Sequence, residues 1–247
     1  MNLAEMSWTE VKEAVSKDPK LRVIIPIGSF EQHGPHLPLR TDSIIAEHVA
    51  SKVLNHRRSV LFPTLTLGYS LEHTEFPGTV SLTQQTFFSI ISEIADCLSK
   101  SGFRTLILIN GHGGNRSILD SSITSIKHTH PELKLYSFTI LDIARKKFAE
   151  LRKSPRGMIG HADELETSMV LAIQPDIVQI SKAIAETPTF PPRFSLESED
   201  LQNVTYGWKT KEISKSGIIG DPTYATAETG RLVLDHVIQT ITLVVGD

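Results

Sequence analysis

Cysteine is nearly missing from this 247-residue chain, and the lone Cys97 cannot close an internal disulfide. That excludes cysteine-based zinc sites and fits a reducing compartment. No run of eighteen apolar residues is present, so no helical membrane span is expected. Positive charge is not in excess: Lys and Arg number 25 against 28 Asp and Glu, a net charge of −3. Without a basic surplus there is little counterion release to drive nucleic-acid binding. The N-terminus lacks a basic start and an apolar core, so no signal peptide is expected and the cytoplasm is the expected location. With 40% apolar and 21% charged residues the composition is that of a globular protein. A chain of this length buries enough surface to fold without a structural metal. Any metal site is therefore read first as functional.

What is abundant is histidine, with 10 copies, several beside glycine and carboxylates. The apolar pattern places strands at Leu21–Ile27, Val60–Leu67, Thr105–Ile109 and Leu133–Leu141. Helices are expected over Thr41–Arg57, capped by Thr41 or Asp42, and over Leu82–Ser101, Ser117–His130, Glu164–Ile173 and Ala225–Val244. Strands alternating with helices predict an α/β fold, a mostly parallel sheet in a three-layer α/β/α sandwich, as a single domain over residues 1–247. The segment 186–220, with Pro188, Pro191, Pro192, Gly207 and Gly217, has weak periodicity and reads as an active-site lid, an interface arm or a mobile surface loop.

Ligands in such sheets bind beyond the carboxyl ends of the strands. Gly28–His36 follows the first strand, and its Glu31 and His33 leave extended backbone on the same side. Asp42 begins the next helix. A carboxylate and an imidazole converging on one point suit a divalent metal; a solvated loop with a capping Asp is the plainer reading. His112 lies in Asn110–Asn115, among three glycines directly after a strand. Close backbone approach to a ligand, a tight turn with an exposed histidine, and a phosphate cradle all fit, although the Lys and Ser/Thr of a P-loop are absent. A third segment, Gly160–Thr167, opens a helix. On its wheel Leu165, Met169, Ala172 and Ile173 form the apolar face. Glu166 falls inside that face and Glu164 opposite it, so Glu166 is a ligand candidate and Glu164 is expected to be solvated. His161 stands where it could move protons, or serves as a satisfied structural histidine. Tyr69–His73 follows the second strand, so Ser70, Glu72 and His73 either bind polar substrate groups or solvate the loop. Trp208 either closes over a flat heterocycle or faces an interface.

Together, Gly28–Leu39 with Asp42, Asn110–Asn115 and Gly160–Ser168 resemble the creatininase (creatinine amidohydrolase) family, from about Trp8 to the final helix. Gly220–Pro222 and Ala225–Gly230 look similar to it as well. The resemblance implies an α/β sandwich with a two-metal centre that hydrolyses a non-peptide C–N bond. It assigns Glu31 and His112 to one metal, His33 to the other, Asp42 to both, and acid/base work to His161. It also implies a homo-oligomer, a hexamer. Creatininase has Tyr and Glu where this chain has Gly113 and Gly114. A glutamate ligand and a substrate-contacting tyrosine are thus missing, which argues against creatinine as substrate. Glu166 is the candidate to restore the carboxylate, and Gly113 and Gly114 join the candidate substrate contacts.

The Gly-Gly form resembles a formamide-hydrolysing branch, whose archaeal members deformylate a pyrimidine nucleotide intermediate of flavin and deazaflavin synthesis. The expectation is therefore metal-assisted hydrolysis of a cyclic amide or formamide of a small molecule. Two divalent ions would activate a bridging water, and His161 and Glu166 would assist catalysis. Zinc is the first expectation; mixed N/O ligands also accept Mn or Fe. Neither nucleic acid nor membrane is expected as a partner. The rivals are a non-catalytic small-molecule or metal-binding protein on the same fold, a flavodoxin-like nucleotide binder, and a hydrolase of a cyclic ketone or lactone.

Overall fold

The computed structural model describes residues 1–53, 58–191, 194, 196 and 206–246. Strands β1 (Arg22–Ile27), β2 (Ser59–Leu61), β3 (Thr105–Asn110) and β4 (Lys134–Thr139) form one parallel sheet in the order β2-β1-β3-β4. The register aligns Ile27 with Asn110 and Asn110 with Thr139, so β1, β3 and β4 end on one edge. Every loop carrying a candidate ligand leaves from that edge or packs against it.

Helices α1 (Trp8–Lys17), α3 (Gln84–Lys100) and α4 (Arg116–Thr129) cover one face. There Val23, Ile25, Ile27, Leu106 and Leu108 meet Phe87, Ile91, Ile118 and Leu119. Helices α2 (Thr41–Val53), α5 (Ile140–Leu151), α6 (Glu164–Ile173) and α8 (Ala227–Val245) cover the other. There Ile24, Ile107 and Ile109 meet Ile45, Val49, Phe148, Met169, Val233 and Val237. Successive strand residues alternate between the two cores, which is the period-2 rule at work in a sheet buried on both sides. Each fully buried aliphatic side chain contributes roughly 1.5–3 kcal/mol. The result is the predicted three-layer α/β/α arrangement.

Several boundaries differ from the sequence expectation. β2 ends at Leu61 rather than Leu67 because Pro63 lacks an N–H; a single bridge, Ile27 to Leu65, resumes the pairing. The β4 strand stops at Thr139, where α5 starts without an intervening breaker. Helix α1 is opened by a Ser7/Glu10 capping box. The final turn of the Thr41–Arg57 helix falls at 54–57, outside the described residues. Much of the 186–220 segment, including Pro192, also lies outside them. Its described parts are anchored: Glu186 and Gly220 exchange two backbone hydrogen bonds, as do His161 and Ile219, and Thr210–Ile213 forms a short helix α7.

Candidate metal centre

The local backbone explains how the cluster is built. Gly111 lies against the first turn of α2, where an added Cβ would meet the Asp42 carbonyl oxygen at 2.3 Å. Only glycine lets β3 approach α2 so closely and set Asp42 beside His112. Asn110 accepts from the His112 N–H (3.2 Å) and donates to the His112 carbonyl (2.7 Å). Asn115 donates to the Gly28 carbonyl and accepts from the Tyr69 N–H, both at 2.9 Å. These two asparagines lock the loops after β1, β2 and β3 to one another. Farther along, Ala162 adopts a left-handed φ of 50°, which reverses the chain between His161 and the Asp163 cap of α6. Such a conformation at a non-glycine residue costs of order 1–3 kcal/mol and needs support from its surroundings. Here the Ala162 N–H donates to Glu166 Oε2 at 2.6 Å.

The side chains converge as the motifs suggest. Glu31 is fully buried, and neither carboxylate oxygen accepts a hydrogen bond among the described residues. Its Oε2 lies 3.3 Å from His112 Nε2; its Oε1 lies 3.5 Å from His73 Nε2 and 3.7 Å from His161 Nδ1. Asp42 divides its oxygens: Oδ1 is 3.2 Å from His33 Nε2 and Oδ2 is 3.0 Å from His112 Nδ1. Glu166 Oε2 stands 3.8 Å from His33 Nε2. Three ligand triads can be drawn on these atoms, Glu31–Asp42–His112, His33–His161–Glu166 and Glu31–His73–His161. Asp42, in the first turn of α2, joins His33 to His112.

Burial is the largest influence on every member of the cluster. It pushes Glu31 up to about 7, against the pull of His112, and Glu166 up to about 8, against His33. On His33 and His112 burial works against the charge, but Asp42, Glu31 and, for His33, Glu166 outweigh it and raise both to about 10. Asp42 resists the upward push of burial because His33 and His112 hold it well below the usual carboxylate range. Burial and neighbouring imidazoles hold His161 and His73 well below the usual histidine range. An orphaned buried carboxylate is costly unless a cation meets it. Glu31 and the facing imidazoles therefore fit a divalent metal.

The remaining expected residues are placed as follows. Ser70 Oγ lies 3.4 Å from His112 Nε2. His73 is buried in the cluster, while Glu72 is half-buried on the same 3-10 turn. Gly113 opens onto free space, where a Cβ would meet nothing within 4 Å; at Gly114 a Cβ would collide with His112 Nε2 at 2.4 Å. Trp208 is half-buried and packs edge-on against Phe190, with ring centroids 6.2 Å apart. Glu164 corrects the wheel. It is fully buried rather than solvated, and accepts hydrogen bonds from the Lys153 and Ser154 N–H groups. The irregular chain before α6 folds back over this helix, which a wheel cannot register.

Gln32 joins the cluster without having been singled out in the sequence. Its position between Glu31 and His33 was the available signal. Its carbonyl accepts from His161 Nε2 at 2.7 Å and its side chain meets His73 Nδ1 at 2.8 Å.

A model of the Creatininase family, described as creatinine amidohydrolase, matches residues 4–245. The chain belongs to the creatininase family. It is 32% identical over 223 residues to a mycofactocin precursor peptide peptidase of Mycolicibacterium smegmatis, covering 88% of this chain and 81% of that protein. It is 25% identical over 254 residues to the creatinine amidohydrolase of Pseudomonas putida, covering 97% and 94%. A shorter match, 33% over 109 residues and 42% of this chain, is to a 2-amino-5-formylamino-6-ribosylaminopyrimidin-4(3H)-one 5'-monophosphate deformylase of Methanococcus maripaludis. A solved Mn form of creatininase superposes with a TM-score of 0.83 at 25% identity, covering 98% of this chain and 96% of the other. These creatininase-family relatives are named as hydrolases. Among the described residues no helix is long and apolar enough to cross a membrane.

Proposed function

We propose that this protein is a metal-dependent amidohydrolase that cleaves the C–N bond of a small cyclic amide or formamide. The observation that carries the reading is Glu31, whose two buried oxygens accept no hydrogen bond among the described residues while imidazoles of His112, His73 and His161 crowd around them at 3.3–3.7 Å. Glu31 and His112 would hold one divalent ion and His33 and Glu166 a second, with Asp42, which lies beside both histidines, shared between them. Zinc is the first candidate, with Mn or Fe as alternatives. Such ions, when bound, supply Lewis-acid polarisation of a carbonyl and lower the pKa of water.

The protein's own groups do the rest. His33 Nδ1 lies 3.2 Å from the Glu31 carbonyl and His112 Nε2 lies 2.9 Å from the Tyr69 carbonyl. Each carbonyl fixes one ring nitrogen as the donor and leaves the other, His33 Nε2 and His112 Nδ1, beside an Asp42 oxygen. His161 Nε2 donates to the Gln32 carbonyl, so its Nδ1 keeps a lone pair on the site. That nitrogen can take the proton from the attacking water and return it to the leaving nitrogen, giving a carboxylic acid and an amine. Burial of Glu31, His33 and Asp42 keeps bulk water from screening these interactions.

Gly113 and Gly114 remove the side chains that creatininase carries after its histidine, which favours a substrate other than creatinine. A second reading, hydrolysis of a peptide bond, is favoured by the similarity to the mycofactocin precursor peptidase. Zinc-loaded protein assayed against creatinine, a formylaminopyrimidine nucleotide, small cyclic amides and short peptides separates these. Turnover of a cyclic amide or formamide supports the first reading, and turnover confined to peptides the second. Tight retention of a ligand with no turnover would instead indicate a non-catalytic binding protein. The reading retains a homo-oligomeric assembly, which light scattering on the purified protein tests.

A further inference from the structure

His33, His112 and His161 share one arrangement: in each, a ring nitrogen is backed by a main-chain carbonyl, of Glu31, Tyr69 and Gln32 respectively. A carbonyl only accepts, so the backed nitrogen carries the hydrogen and the other keeps its lone pair for a ligand or a proton. His73 is the exception. Its Nδ1 is met at 2.8 Å by Gln32 Nε2.

The orientation of the Gln32 amide is fixed from both ends. Its Oε1 accepts the Gly34 N–H at 2.9 Å, and its Nε2 donates to the Gly217 carbonyl at 3.0 Å. Flipping the amide would set oxygen against a carbonyl and an NH2 group against an N–H. The group facing His73 Nδ1 is therefore a donor, and Nδ1 must be the bare nitrogen. The Thr210 hydroxyl, 2.9 Å from the same nitrogen, can donate to it as well. Neutral His73 consequently carries its hydrogen on Nε2, the nitrogen that faces the cluster 3.5 Å from Glu31 Oε1.

From this polarity we infer that His73 is a substrate-binding hydrogen-bond donor, directed at a carbonyl or carboxylate oxygen, and not a metal ligand. Gln32 is the positioning residue that sets its tautomer. Glu31, His73 and His161 lie close enough to resemble a third metal triad, but a nitrogen bearing hydrogen has no lone pair to give. The inference rests on the amidohydrolase reading and adds a division of labour to it. The stacked pair His73 and His161, with centroids 4.2 Å apart, presents a donor and an acceptor side by side. An amide carries the complementary features, an oxygen to accept and a nitrogen to be protonated. The Thr210 contact also brings the C-terminal part of the 186–220 segment into the substrate site.

The test uses the full-length protein loaded with ¹¹³Cd or Zn, and acetohydroxamate as an amide-like probe. Nitrogen NMR should show His73 protonated at Nε2 with no ¹¹³Cd coupling, while His33 and His112 show coupling. His73→Asn should keep the wild-type metal content and bind acetohydroxamate about tenfold more weakly. His73→Gln, whose amide reaches the Nε2 position, should recover most of that loss. A protonated Nδ1, a ¹¹³Cd coupling at His73, lost metal in His73→Asn, or unchanged probe affinity would each overturn the inference. None of these readouts needs turnover. If no amide is hydrolysed yet the NMR and probe results hold, the hydrolase reading fails and the donor assignment stands.

Discussion

Glu166 Oε2, on the first turn of α6, lies 3.8 Å from His33 Nε2, on the loop after β1. Through this pair a carboxylate from distant sequence reaches the imidazole that lacks a glutamate partner in the Gly113-Gly114 turn. Glu166→Gln keeps the volume and removes the charge. It is expected to lose the ion at His33, keep the ion at Glu31 and His112, and lower kcat/KM by roughly 100-fold or more. Metal analysis with steady-state kinetics checks both.

Glu164, two residues earlier, provides the contrast. Its carboxylate accepts from the N–H groups of Lys153 and Ser154 and makes no contact with the histidine cluster among the described residues. Glu164→Ala leaves those donors unpaired, at a cost of about 1–3 kcal/mol. The expected outcome is a lower urea midpoint with normal metal stoichiometry.

Asp42→Ala removes both oxygens of the carboxylate shared between His33 and His112. Loss of both ions together is expected, with activity falling to background. Retention of either ion in dialysed protein would contradict the shared role.

Metal binding should release protons at neutral pH. Burial opposes charge on His33 and His112, but the surrounding carboxylates raise both to about 10 in the metal-free protein, so both carry protons at pH 7. Those protons must leave for the imidazoles to act as ligands. Apparent affinity therefore rises as pH increases from 7 toward 10 and falls as pH drops. Calorimetry in two buffers of different ionisation enthalpy measures the release directly.

Gly230 fixes how closely α8 packs on α6. A Cβ there would lie 1.9 Å from the Ser168 carbonyl oxygen, which is backbone and cannot swing aside. Gly230→Ala should destabilise by about 1–3 kcal/mol or more. Denaturant unfolding with an unchanged slope would show that stability alone has changed.

Much of this was legible in the sequence because it followed local rules. β1 and β3 are apolar and β-branched, and both end at polar turns, so the local pattern marks the sheet edge. Glu166 betrayed itself as a carboxylate on an apolar stripe. Other features depend on tertiary contacts that no local pattern encodes. The burial of Glu164 arises from residues 152–154 returning over α6. The polarity of His73 is set by a glutamine whose amide is oriented by Gly34 and Gly217, far apart in the chain. Helix α5 follows β4 without a breaker, so the apolar run read as one longer strand.

The most direct test is a crystal structure of the zinc-loaded protein with anomalous data at the zinc edge. Two peaks are predicted, one among Glu31, Asp42 and His112 and the other among His33, Asp42 and Glu166. An empty cluster under saturating zinc, or peaks only elsewhere on the protein, would contradict the account.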